Sequence, residues 1–200
     1  NNNVAGNSSY LGGGIFYHGE ADIANSTFSK NSVSESGGGI YNDDIGILQI
    51  VNSTFFGNTA DWDSGGIQSR GGTITIDSST FYQNSAGHIG GGLASYFTSA
   101  IVNNTIIADN LGENCDAIMN PILGANNLTN DSSCGDSFII SSTIRLGTLG
   151  DYGGYTQTIP LLAGSSAIDA GNDATCPTTD QRGTTRPKGA ACDIGAFEYV

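Results

Sequence analysis

Apolar residues alternate with polar ones in short runs along most of this chain, as in Thr73-Ile74-Thr75-Ile76 and Ile45-Gly46-Ile47-Leu48-Gln49-Ile50. A period of two places alternate side chains on opposite faces of a strand, and these runs are too short and too β-branched for helices. The same pattern returns at a fixed distance. Gly12-Gly13-Gly14-Ile15 is followed by Gly37-Gly38-Gly39-Ile40, Gly65-Gly66-Ile67 and Gly90-Gly91-Gly92-Leu93, so the aliphatic residues lie 25, 27 and 26 apart. A second landmark keeps this beat: Asn25-Ser26-Thr27-Phe28, Asn52-Ser53-Thr54-Phe55, Ser78-Ser79-Thr80-Phe81 and Asn103-Asn104-Thr105-Ile106. Gly, Asn and Ser between the runs supply the turn residues.

Several strands per 25–27 residues, repeated in order, describe one coil of a solenoid. The fold class is all-β, a right-handed parallel β-helix, because a single coil cannot bury its apolar face and stacking builds a continuous core. Ile15, Ile40, Ile67 and Leu93 are expected to form one inward ladder, and Phe28, Phe55, Phe81 and Ile106 another. Five residues before each member of the second ladder stand Ile23, Ile50, Ile76 and Ile101. Three residues after it come Asn31, Asn58 and Asn84, with Asp109 in the fourth copy. Asparagine at a solenoid corner adopts left-handed backbone or bonds the equivalent residue one coil away, so this column reads as structural. Asn3-Val4-Ala5 matches Asn58-Thr59-Ala60, which places the first residues at a coil corner with an uncovered edge. Either further coils or another subunit is expected to cover that edge.

The repeat loosens after Leu111, where Asn126-Asn127-Leu128-Thr129 echoes the landmark. Residues 1–145 are assigned to the coils and 146–200 to a C-terminal cap packed on them. In the cap, Gly153-Gly154-Tyr155-Thr156 leads to Leu161-Leu162 and to Ala167-Ile168-Asp169-Ala170-Gly171. Asp180-Gln181-Arg182-Gly183 and Arg186-Pro187 follow, then Asp193-Ile194-Gly195-Ala196-Phe197-Glu198. These linked motifs resemble the "choice-of-anchor Q" C-terminal domain of secreted bacterial β-helix proteins, departing from it at Tyr152, Tyr155 and Ile159. The resemblance implies an extracellular or cell-surface location and brings no catalytic residues with it. Arg182 and Arg186 among Asp169, Asp180, Asp193 and Glu198 are expected to form a partly buried arginine–carboxylate network. An anion site on the two arginines is the alternative.

Charge narrows the partners. The formal net charge is −13 with six Lys and Arg, which disfavours nucleic acid and anionic membranes. No apolar run is long enough to span a bilayer. Four cysteines in an acidic, Lys-poor chain point to an oxidising compartment. They allow three connectivities, of which the sequential pairs Cys115–Cys134 and Cys176–Cys192 are preferred. No zinc, calcium or other cofactor motif is recognisable.

Catalytic chemistry finds little support in the sequence. Asn42-Asp43-Asp44 resembles part of the acid cluster of polygalacturonases, but their other motifs are missing, and a polar turn explains it. Trp62 between Asp61 and Asp63 is placed on a loop, where it could stack on a sugar or fold over the coil edge. Phe16, Tyr41 and Trp62 are the aromatic candidates for carbohydrate binding. The expected function is therefore that of an extracellular structural or adhesive solenoid, not an enzyme. Its expected partners are surface glycans, other surface proteins, or further copies joined head to tail, with residues 194–199 pairing onto the uncovered coil. A polysaccharide-degrading or carbohydrate-binding β-helix is the alternative.

Overall fold

Four parallel sheets run the length of a solenoid of about five turns in the computed structural model, which describes residues 1–117 and 120–200. Each regular coil contributes one strand to each sheet. The first sheet stacks Ile15–Tyr17, Ile40–Asn42, Ile67–Arg70, Leu93–Tyr96 and Cys115–Asp116. The second stacks Glu20–Ala24, Ile47–Val51, Thr73–Asp77, Ser99–Asn103 and Leu123–Ala125. The third begins with Asn3–Ala5 and Thr27–Ser29, continues through Thr54–Phe56, Thr80–Tyr82 and Ile106–Ala108, and ends with Asn127–Thr129 and Phe138–Ile140. Ser8–Ser9, Ser32–Val33, Thr59–Ala60 and Ser85–Ala86 form a short fourth sheet. No helix occurs among the described residues.

The glycine-led corner separates the fourth sheet from the first. Its first residue is left-handed in every coil, and Ser64 (φ 51°) fills the place that Gly37 (φ 75°) holds one coil earlier. The later glycines are required by proximity: a Cβ on Gly66 would lie 2.1 Å from the Gly92 carbonyl oxygen. Ile15, Ile40, Ile67 and Leu93 then stand in register as one ladder. The last three are fully buried.

In the second ladder, Phe28, Phe55 and Phe81 stack face to face at 4.8 and 4.5 Å between ring centroids. Its next member is Ile107, not Ile106, because Phe81 pairs with Ile107 and Thr80 with Ile106. The landmark of the fourth copy is thus Asn104-Thr105-Ile106-Ile107. Since strand side chains alternate, this single step moves Ile106 to the opposite face. The same step puts Val102 in the buried position under Ile76 and leaves Ile101 exposed. At the other end Val4, not Asn3, occupies a landmark position, beside Phe28.

The asparagine column shifts likewise. Asn7, Asn31, Asn58, Asn84 and Asn110 form an amide ladder in which each side-chain carbonyl accepts from the preceding coil's amide, at 2.9 Å throughout. Asp109 stands outside it. The left-handed backbone belongs to the residue before each asparagine, namely Gly6, Lys30, Gly57, Gln83 and Asp109. From Asn31 onward the asparagines are buried ties between coils, and Asn31, Asn58 and Asn84 are wholly inaccessible.

The outer face of the third sheet carries Thr27, Thr54, Thr80, Ile106 and Leu128, and all five are buried. They are covered by the C-terminal region, which lies lengthwise along this flank. Thr27 Oγ1 donates to the Gln157 carbonyl (2.5 Å), and Thr54 Oγ1 to Gln181 Oε1 (2.6 Å). Thr80 Oγ1 accepts from the Ala196 amide (3.0 Å). Ile106, Ala108 and Leu128 join Leu161, Ala167, Ile194 and Phe197 in a second apolar core. Residues 194–197 are thus buried against their own solenoid, so strand donation by 194–199 to another copy has no free segment to use.

Disulfides join Cys115 to Cys134 and Cys176 to Cys192. Arg182 holds Asp180 at 2.7 Å and stacks 3.4 Å over the Phe197 ring. Arg186 donates to the Asp193 and Gly195 carbonyls, both at 2.7 Å, and its Nε lies 3.7 Å from Glu198. Burial pulls the Arg186 pKa down despite the surrounding acids and pushes that of Asp193 up to about 6. Asp169 is outside the arginine network, accepting instead from the Ala191 amide. With both arginines engaged by acids and carbonyls, neither is presented to an external anion.

Candidate functional site

Solenoid geometry converts a sequence interval into a surface column. Tyr10, Glu35, Trp62 and His88 follow one another along the corner bordering the fourth sheet, joined by backbone bonds. The Glu35 amide donates to the Tyr10 carbonyl, that of Trp62 to Glu35, and that of His88 to Trp62, at 3.1, 3.0 and 2.9 Å. Across the glycine corner, Phe16, Tyr41 and Gln68 stand in register on the outer face of the first sheet, followed by Ala94 and Asp116. Arg70 and Tyr96 pair two positions further along those strands.

Between these two columns lies a cleft of about 390 Å³, lined by Tyr10, Glu35, Tyr41, Trp62, Gln68, Arg70 and neighbouring residues including Asp63 and Tyr96. Several of its polar groups are held by partners within the wall. The Tyr10 hydroxyl donates to Glu35 at 2.9 Å. Asp63, itself buried, receives the Tyr96 hydroxyl at 3.1 Å and meets His88 Nδ1 at 2.9 Å. Trp62 stacks on the His88 ring with centroids 5.1 Å apart and remains 56% exposed. Phe16 and Tyr41 stack at 5.5 Å. The Tyr41 hydroxyl beside Arg70 raises the Arg70 pKa above the ordinary arginine value.

Beneath the adjoining wall, burial raises the Asp116 pKa, and one of its carboxylate oxygens is unpartnered among the described residues. Burial, followed by the nearby charges of Asp63 and Asp116, raises the pKa of Tyr96. The site therefore presents fixed donors and acceptors beside aromatic faces. No grouping of three or more metal-binding side chains occurs among the described residues.

Trp62 and Tyr41, singled out separately in the sequence, meet here beside Arg70. Phe16 stacks at the margin. Asp43 and Asp44 do not line the cleft, although their charges reach Arg70; they sit on a turn where Asp44 has φ 44° and Asp43 is 4.0 Å from His18. Their neighbour Asn42 is turned into the solenoid, where it donates to Ser69 Oγ at 2.8 Å. Tyr10, Glu35, Gln68 and Tyr96 are additional members. A signal for them exists, since Tyr10, Glu35, Trp62 and His88 are separated by 25, 27 and 26 residues, the same intervals as the isoleucine ladder.

Comparison with known proteins places one segment. Residues 25–43, which span most of a coil, match the model of the Chlamydia polymorphic membrane protein (Chlamydia_PMP) repeat. Neither the curated proteins nor the solved structures contain a match to this chain. No helix among the described residues is long and apolar enough to cross a membrane.

Proposed function

We propose that this chain is an extracellular adhesive β-solenoid of a cell surface that holds a carbohydrate in the cleft between its two side-chain columns. The observation behind the reading is the cleft's composition. The side chains of Tyr41, Trp62 and Tyr96 line one concavity together with a carboxylate (Glu35) and a guanidinium (Arg70). Sugar rings present apolar C–H faces and fixed hydroxyls, and aromatic rings with bidentate polar groups complement them. A chain of charge −13 repels polyuronates, so neutral glycans are the expected class. Two disulfides fit an oxidising compartment. The repeat match to a membrane-protein family and the likeness of residues 146–200 to a surface-anchor domain lend support to a surface location.

The experiment is a neutral-glycan array probed with the oxidised protein and with Trp62→Ala and Glu35→Ala variants. Retention of the wild type and loss with both variants is expected. Retention that is indifferent to both substitutions would remove the cleft from the account. Turnover products from any retained glycan would favour the polysaccharide-cleaving alternative.

Head-to-tail assembly is a second reading, favoured by one observation. The Phe138–Ile140 strand ends its sheet with Ile139 and Ile140 about 60% exposed. Such an edge offers unpaired backbone groups and apolar side chains to another strand. Light scattering of the protein and an Ile139→Lys variant tests this, with assembly of the wild type alone as the expected outcome.

A further inference from the structure

The cleft draws its lining from four successive coils: Tyr10 stands on the first, Glu35 on the second, Trp62 and Arg70 on the third, and Tyr96 on the fourth. It therefore runs along the solenoid axis and not around one coil. Stacked coils are one strand spacing apart, about 4.8 Å. Tyr10 and Trp62 occupy the same corner position two coils apart, with Glu35 between them. Their backbones are thus separated by roughly 10 Å along the axis. Both side chains are open to solvent, at 64% and 56% exposure, and neither belongs to an apolar core.

This spacing has a chemical counterpart. In an extended β-1,4-linked hexose chain each sugar advances by close to one strand spacing and is turned over relative to the last. The same ring face therefore returns at every second sugar. Two aromatic side chains two coils apart on one wall meet alternate sugars of such a chain, and aromatic rings complement the C–H faces of sugars. An α-1,4-linked chain of the same sugar coils away from a straight wall and engages one aromatic at a time.

From the two-coil spacing of Tyr10 and Trp62 we infer that the ligand is an extended β-1,4-linked neutral hexose chain lying along the solenoid axis, with alternate sugars on these two side chains. The intervening sugar, turned over, presents hydroxyls to Glu35, which takes the Tyr10 hydroxyl on one carboxylate oxygen and the sugar on the other. The inference rests on the reading of the cleft as a carbohydrate site and narrows it from neutral glycans to one linkage geometry and one orientation.

The test titrates oligosaccharides of two, three and four sugars calorimetrically into the wild type and into Tyr10→Ala, using β-1,4-linked glucose, β-1,4-linked mannose and α-1,4-linked glucose. In a β-1,4 series the wild-type affinity is expected to rise about tenfold from the disaccharide to the trisaccharide, as the third sugar reaches the second aromatic. No such step is expected in the α-1,4 series. Tyr10→Ala abolishes the step and leaves the disaccharide affinity nearly unchanged, whereas a general loss of structure would lower every length alike. Equal affinities for the β-1,4 and α-1,4 tetrasaccharides, an affinity indifferent to length, or a step that survives Tyr10→Ala would overturn the inference and leave the cleft a general glycan site. Retention of some other neutral glycan on the array, with no binding in either β-1,4 series, would do the same. Retention of no glycan at all would overturn the carbohydrate reading with it. The linkage and length comparisons use the wild type alone, so they hold however Tyr10→Ala folds.

Discussion

Replacing Asn58 with alanine removes the middle rung of the amide ladder. Asn58 Oδ1 accepts from the Asn31 backbone amide at 3.1 Å and from Asn31 Nδ2 at 2.9 Å. Its Nδ2 donates to the Phe28 carbonyl and to Asn84 Oδ1, both at 2.9 Å. Four buried hydrogen bonds are lost, and the Asn31 backbone N–H is left inside without its acceptor. Asn84 Oδ1 keeps the backbone amide of residue 58, and Asn31 Nδ2 keeps the Val4 carbonyl. At about 1 kcal/mol per net bond, with the orphaned amide at the upper end of that scale, the expected loss is about 3–5 kcal/mol. The comparison variant is Asn7→Ala at the exposed end of the ladder, where the cost is expected below about 1 kcal/mol. Urea unfolding of the oxidised protein, followed by circular dichroism, measures both. With a slope of about 2 kcal/mol/M, Asn58→Ala lowers the midpoint by about 2 M. Equal midpoints for Asn58→Ala and Asn7→Ala would refute the claim that the ladder ties coils together.

Other consequences are equally open to measurement. Gly66→Ala places a methyl against the Gly92 carbonyl, a fixed backbone atom, and is expected to lower thermal stability by several degrees or to prevent folding, whereas Gly6→Ala has open space around it and faces only the left-handed backbone cost. Gln181→Ala cuts the ties from the C-terminal region to Thr27 and Thr54; limited proteolysis is expected to release residues 146–200 faster while the coils stay intact. Because burial raises the Asp193 pKa from 3.8 to about 6, the folded state binds the proton more tightly. The associated stability is present below about pH 4 and is lost as pH rises through 6, by up to roughly 3 kcal/mol. Hydrogen exchange around residues 193–199 should therefore be slower at pH 4 than at pH 7 after correction for intrinsic rates, and Asp193→Asn should flatten the difference.

The solenoid was legible because its rule is local: a left-handed corner, glycines where coils touch, and one apolar residue at a fixed phase. Coil length and the Ile15–Leu93 ladder follow from that rule. The slip at the fourth landmark has a physical origin. Asn103 and Asn104 are adjacent, as are Ile106 and Ile107, so two alignments one residue apart both satisfy composition. Only burial of Val102 and Ile107 over Ile101 separates them. The side of the solenoid that the C-terminal region covers was hidden for a different reason. Thr27, Thr54 and Thr80 read as outward polar residues, and nothing local tells that Gln157, Gln181 and Ala196 meet them across more than a hundred residues. The cleft lay between these extremes. Trp62 and Tyr41 drew notice singly, whereas Tyr10, Glu35 and His88 belong to loop positions where no residue type repeats. Their common interval was present, but chemistry differing from coil to coil concealed it.

Trp62 is the only tryptophan in the chain, so its emission reports on the cleft and on nothing else. A fluorescence titration of the oxidised protein with neutral oligosaccharides is therefore the most direct test of the account. A saturable change in intensity or wavelength is predicted, shifted to higher concentration by Glu35→Ala. Emission that stays constant across a glycan the protein demonstrably retains would contradict it, because the sugar would then lie away from the columns that the coil spacing brings together.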